Sequence, residues 1–332
     1  MAFDNIKLEK GLYTTGKSFT KALEELDPSE NYRGTSLEGL DAYERQLKRF
    51  DIKVSGVNSD PVSKFFATTD SAALFPEYVS RAVQLGVDYD HKIDKLVATT
   101  TEIDSMDYRS IKVENSYTDY NLSEVAEGET IPEFTIKLNS NLTKLKKHGK
   151  MLVSSYEAIK FQRLDLFTTV LGHIGAHIAE SEFQQALATI LENEDMEITS
   201  LIKANSLTYD DIVTAWATFF PYKFTTMIVN KQSFAAIMRM SEFRDATAGL
   251  DTHATGKIIT PFGAEVVVET SVPKNSFIGL DKNYALEKVQ AGGIITDFDK
   301  LIDRQLERAT ISEIVGFSRI YDDAAFAVGM DD

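Results

Sequence analysis

Thr225–Met238 reads TTMIVNKQSFAAIM, and this stretch decides how the middle of the chain is built. The run Thr225–Val229 is uncharged and mostly β-branched, ending in Met227, Ile228 and Val229, and reads as a short strand of the buried type. Asn230 follows at once. Its side-chain oxygen suits the N-cap of a helix, where it accepts one of the backbone N–H groups that the first turn leaves unpaired. The residues after it, KQSFAAIMRM, then read as that helix. A buried strand feeding directly into a capped helix places this region in a mixed sheet and helix layer.

Reading outward, Thr208 and Asp211 have the spacing of a capping box for a helix running through Trp216. Downstream, KIITPFGAEVVVET (257–270) gives two strands joined at a Pro261-Phe262-Gly263 turn, and NSFIGLD (275–281) gives another. Upstream lies the strongest helical pattern. Ser154 and Glu157 form a capping-box spacing, and Leu164, Phe167, Leu171, Ile174 and Ile178 recur at steps of three and four. Continued to Asn193, it predicts a helix over 155–193, a rod of about 55 Å, which suits an extended flat body better than a compact enzyme domain. At the C-terminal end, LERATISEIVGFSRIYD (306–322) alternates as one or two strands and AAFAVG (324–329) closes the pattern.

Residues 99–151 form a long β-rich excursion. Within it, AEGETIPEFTIKL (126–138) sets Phe134, Ile136 and Leu138 on one face of a strand whose flanking sequence is too polar to cover it. Glu124, Glu127 and Glu129 cluster on the outward limb, while the return limb TKLKKHGK carries Lys144, Lys146, Lys147, His148 and Lys150. A solvated strand face explains such a basic run, and a salt-bridged contact with an acidic partner is the alternative. Before the excursion, a helix is expected to begin near Pro76, a residue tolerated in a first turn. The first sixty residues are punctuated by glycines around TSLEGLDAYERQLKRF (35–50), read as a helix with Thr35 and Glu38 as its capping box and Leu40, Tyr43, Leu47 and Phe50 on one face. That face packs on its own domain or docks on a neighbouring subunit.

Composition removes several classes of function. The 332 residues are 43% hydrophobic and 26% charged, as in soluble globular chains, with no run approaching the roughly 18–20 apolar residues of a membrane helix and no N-terminal signal pattern, so a cytoplasmic location is expected. The absence of cysteine excludes disulfides, thiolate metal sites and cysteine nucleophiles. A formal charge of −16 argues against a general nucleic-acid binder, although an acidic chain can line a container that holds DNA without adhering to it.

No catalytic constellation emerges. His173 and His177 have a metal-ligand spacing and Glu180 lies one turn on, but the Glu that zinc hydrolases place between the histidines is missing. Gly292 and Gly293 precede a strand without the remainder of a phosphate loop, no G-x-S-x-G elbow occurs, and the acids of ENEDMEI (192–198) read as a solvated helix end. No cofactor, metal or enzymatic activity is expected.

The order of elements, with TTMIVNKQSFAAIM, TPFGAEVVVETSVPKNSFIGLDKNYAL and DRQLERATISEIVGFSRIYDDAAFAV, resembles the major capsid proteins of tailed phages, whose HK97-type fold is shared with encapsulin shells. The resemblance runs from about 65 to 328. It implies an α+β fold partitioned into an N-terminal arm (1–60), a linker and helix (61–98), an elongated β loop (99–151), a peripheral domain with the spine helix (152–203), an axial domain (204–292) and returning peripheral strands (293–332). It further implies self-assembly through hexamers and pentamers into an icosahedral virion capsid in the host cytoplasm, with scaffold, portal and decoration proteins as partners. Packaged double-stranded DNA would be held without sequence-specific binding, and no membrane would take part.

In that frame the elongated loop lies over a neighbouring subunit. Its acids would meet Lys160, Arg163 or Arg304 across the boundary, and the arm would be retained. An isopeptide cross-link from Lys112 or Lys137, known in some members, is disfavoured because no Asn follows Ile294. An encapsulin-type compartment is the alternative.

Overall fold

The computed structural model describes residues 2–13, 18–89, 92–105, 107–112, 124–131, 137–139, 142–155, 157, 161–191, 207–244, 259–260, 262–274, 276–301 and 306–328. Its principal helices are α1 (Phe19–Leu26), α2 (Ala42–Arg49), α3 (Phe75–Tyr89), α4 (Leu164–Leu191), α5 (Tyr209–Thr218) and α6 (Lys231–Ile237). The strands are β1 (Val97–Ile103), β2 (Ile111–Lys112), β3 (Lys137–Leu138), β4 (Lys146–Ser155), β5 (Thr226–Val229), β6 (Glu265–Val268), β7 (Phe277–Leu280), β8 (Leu286–Ala291), β9 (Ile295–Leu301), β10 (Leu306–Arg319) and β11 (Ala325–Val328). They divide into two units. The first comprises Met1–Asp90, Lys147–Ala179 and Gly293–Glu313, and the second His91–Lys146, Glu180–Gly292 and Ile314–Asp332. Three elements, α4, β10 and, by its first residue Lys146, β4, contribute residues to both.

In the first unit, α3 packs on β9, β9 pairs antiparallel with the first half of β10, and β4 also pairs with β10. The core joins Phe75, Tyr78, Val79 and Val83 of α3 to Leu164, Leu171 and Ile178 of α4. Phe19 and Leu23 of α1, Tyr43 and Leu47 of α2, and Leu8 enter the same cluster. The N-terminal helices are thus a layer of this unit, built around a side chain that polarity alone would place outside. Arg45 is fully buried, donating from Nε to Asp27 Oδ2 at 2.8 Å and from Nη1 to Ser29 Oγ and the Leu40 carbonyl at 2.8 and 2.7 Å. Its guanidinium lies 4.4 Å from the centroid of the Tyr32 ring.

Two expected helix starts move. The helix of the N-terminal segment begins at Ala42, capped by Asp41 and Glu44 in a reciprocal capping box, whereas the Glu38 carboxylate accepts the Gly34 N–H. Gly39, at φ +83, stands between the two candidate caps, in a backbone region outside the helix. Likewise, Ser154 and Ser155 complete β4, and α4 starts at Leu164. At 28 residues α4 is about 42 Å long, shorter than the helix expected over 155–193. The strand alternation of HGKMLVSS outweighs the capping spacing there. Residues 192–193 lie outside the described set.

The second unit holds Thr225–Met238. β5 is buried along its length, parallel to β6 and antiparallel to β7, which in turn pairs with β11. Asn230 Oδ1 accepts the Ser233 N–H at 2.7 Å and starts α6, and Thr208 with Asp211 starts α5. Replacing Asn230 by Ala is expected to cost about 1 kcal/mol of unfolding free energy, read as a lower denaturation midpoint. Of the two strands expected over 257–270, β6 forms, and Ile259 makes a single bridge to Glu265 across the Gly263 turn. In the same unit β1 runs parallel to β8, and β8 pairs antiparallel with the second half of β10. The pattern over 306–322 is therefore one 14-residue strand.

Candidate functional site

The excursion between β1 and β4 carries the acids singled out in the sequence, and its tip is a built turn. Glu129 donates its N–H to the Ala126 carbonyl at 3.0 Å, Gly128 takes φ +86, and Glu129 Oε2 accepts the Ala126 N–H at 3.0 Å. The pattern A-E-G-E supplies what the turn requires: a glycine at the left-handed position and a carboxylate to close it. Glu124, Glu127 and Glu129 are all exposed, and so are the apolar Val125 and, at 73%, Ile131. Acidic and apolar side chains thus share one solvent-exposed turn.

On the return limb, Lys144, Lys146 and Lys147 are exposed. Among the described residues no ion pair joins them to the three glutamates of that turn. Beyond them, β4 exposes Met151 and Val153 at about half of their surface. At the root, β2 pairs antiparallel with β3 through Ile111–Leu138 and Lys112–Lys137. Phe134 and Ile136, whose cover was the open question, lie outside the described residues, as do Lys160 and Arg304.

Arg163 is exposed yet engaged by its own chain. Its guanidinium donates from Nε to the Ser59 carbonyl at 3.2 Å and also reaches the Val57 carbonyl. Pro61 forms a bridge with the same residue, and the Leu164 N–H donates to the Asp60 carbonyl at 2.9 Å. The segment 57–61 thereby holds the start of α4. Of the candidate docking face near the N-terminus, Tyr43 and Leu47 are buried in the first unit's core, Phe50 packs against it and Leu40 is half-buried. That face meets its own unit.

On α4, Leu166, Val170, His173 and His177 fall at steps of four, three and four and are all exposed. The two imidazoles stand 4.6 Å apart between ring centroids. Among the described residues no group of three or more His, Cys, Asp or Glu is placed to hold a metal ion, and Glu180 instead pairs with Lys92 at 3.4 Å.

Two features escaped the sequence reading. Arg45 carried no local signal of burial. The close crossing of α3 and α4 at Gly86, Gly172 and Gly175 was legible in principle as a G-x-x-G step within the helical pattern, since glycine is disfavoured inside a helix unless a neighbour approaches closely.

Comparison with known proteins supplies the context for these surfaces. The model of the phage capsid protein family matches residues 140–327, more than half of the chain. Among curated proteins none matches the sequence. Among solved structures, a virus-like particle from Pyrococcus furiosus superposes with a TM-score of 0.51 at 15% identity, covering 76% of this chain and 98% of that one. The capsid of a native GTA particle gives a TM-score of 0.50 at 13% identity, covering 71% and 89%. At such identities the likeness speaks to the fold, and the family match to membership. The chain belongs to the phage capsid protein family and has the α+β, HK97-type capsid fold.

Proposed function

We propose that this chain is the major capsid protein of a tailed phage, assembling through hexamers and pentamers into an icosahedral head that encloses double-stranded DNA. The observation that carries the reading beyond family membership is the tip of the elongated loop, where Val125 and Ile131 stand exposed among Glu124, Glu127 and Glu129. Burying apolar surface on another copy is favourable at roughly 25 cal/mol per Å², and repetition over a closed symmetric shell multiplies a modest contact. The acids give that contact its register.

The basic limb Lys144, Lys146 and Lys147 and the exposed stripe of α4 are the surfaces offered to such a tip. In this reading residues 204–292 act as the axial domain, the spine helix and returning strands as the peripheral one, and the folded N-terminal layer is retained. Scaffold, portal and decoration proteins are the expected partners, assembly takes place in the host cytoplasm, and the chain performs no catalytic step. Its net charge of −16 suits a wall that confines DNA without gripping it.

Charge reversal at Glu124 and Glu127 tests the contact. The double Lys variant should keep the unfolding midpoint of the unaltered chain and lose closed particles in light scattering and sedimentation, whereas normal particles would refute the role of the tip. Glu129 is left in place because it closes the turn itself. A second reading, a protein compartment of the encapsulin kind, is supported by the match to the virus-like particle, which spans nearly all of that chain. Nuclease-protected DNA inside particles made during infection separates the two.

A further inference from the structure

Glu287 on β8 is buried, 6% exposed, and its carboxylate accepts from three hydroxyls. Thr101 Oγ1 and the Tyr108 phenol donate to Oε1 at 2.5 and 2.7 Å, and Ser110 Oγ donates to Oε2. Among the described residues no cation pairs with it. A carboxylate taken out of water without a counter-ion is costly, and three donors converging on it offset that cost only while they stay in place. Burial holds the Tyr108 phenol above its usual pKa, and the bond to Glu287 pushes the same way, so the phenol remains a donor.

The origin of the donors gives the arrangement its meaning. Thr101 belongs to β1 and is already fixed to β8 by the strand ladder. Tyr108 and Ser110 lie beyond β1, on the first residues of the elongated loop, where they make no ladder with β8. Their backbone carbonyls in turn accept from the return limb, the Tyr108 carbonyl from the Thr143 N–H at 2.9 Å and the Ser110 carbonyl from the Asn139 N–H at 2.8 Å. One carboxylate thus grips the outgoing limb directly and the returning limb through it. From this we infer that Glu287 is a positioning residue, the anchor that fixes the direction in which the elongated loop leaves the β1–β8 pair and so where its tip meets another copy.

The inference rests on the assembly reading above, and the test separates the two. The chain has no cysteine, so spin labels can be placed at Thr130→Cys near the tip and Asp210→Cys on α5, both exposed, with labelled protein diluted into unlabelled. The unaltered chain should give one narrow distance peak. The double variant Tyr108→Phe, Ser110→Ala, which removes the loop's donors, should lose that peak in favour of a broad distribution and lose closed shells, while still unfolding cooperatively. Thr101→Val removes a donor that the ladder already fixes and should keep both.

If the three hydroxyls merely satisfy a buried acid, all three deletions cost stability and the distance stays put. An unchanged narrow peak in the double variant, or equal broadening in Thr101→Val, would overturn the anchor. Should the double variant fail to fold, Tyr108→Phe alone carries the same comparison. Loss of the peak in the loop variants, with no shells from the unaltered chain even when its partner genes are co-expressed, would keep the anchor and remove the assembly reading.

Discussion

Replacing Arg45 by Met is expected to lower the unfolding free energy by about 3–5 kcal/mol, a large share of the stability of a typical domain. The reason lies in what remains. Asp27 is as buried as Arg45, and its carboxylate is held by the Arg45 Nε at 2.8 Å and the Tyr32 hydroxyl at 2.6 Å. With the guanidinium gone, a charged carboxylate stays buried with one neutral donor, and the Leu40 and Asp27 carbonyls lose theirs. The paired variant Arg45→Met, Asp27→Leu should recover a good part of the loss, because removing both charges avoids the orphaned ion. Chemical denaturation monitored by far-ultraviolet circular dichroism gives the midpoints. Failure of the single variant to destabilise would mean that the N-terminal layer is not integral to the first unit.

The second large effect is expected where α3 crosses α4. A Cβ at Gly175 would overlap the Val83 carbonyl, and one at Gly86 would overlap the Gly172 carbonyl, in both cases backbone that no rotamer change can move aside. Helix propensity favours alanine over glycine by about 1 kcal/mol, so without the crossing Gly175→Ala would stabilise. Packing reverses the sign: overfilling costs typically 1–3 kcal/mol, and a backbone neighbour puts this site near about 3 kcal/mol of destabilisation. Gly172→Ala is the internal control. A Cβ there meets only the Ala82 carbonyl at 3.8 Å, an ordinary contact, so this variant should be neutral or slightly stabilising. Thermal melts of the three alanine variants read the contrast, and equal shifts at Gly175 and Gly172 would contradict the close crossing.

These two sites also mark how far the sequence could be read. The strand Thr226–Val229, the Asn230 cap, the Thr208–Asp211 box and the helix starting near Pro76 were legible because each depends on residues close in the chain. Competition between local signals was harder. Thr35–Glu38 and Asp41–Glu44 both satisfy a capping pattern, and Gly39 between them decides for the second. Ser154–Glu157 lost to the alternation of β4 in the same way.

Long-range pairing was not legible at all. Nothing near Arg45 in the sequence announces Asp27 as a buried partner, and Glu287 lies 177 residues from Ser110. Arg163 illustrates the converse: read as a charge offered outward, it holds the carbonyls of Val57 and Ser59 in its own unit. The exposed acids of the loop tip were legible because a turn rich in Glu and Gly stays in water whatever surrounds it.

The measurement that bears most directly on the central claim is electron microscopy, with light scattering, of the unaltered chain expressed alone and together with the genes encoded beside it. Closed shells of uniform diameter, or rings of five and six copies that close into shells when the partner genes are present, are the expected result. A monodisperse monomer under both conditions, at every concentration tried, would contradict self-assembly as the function of this chain.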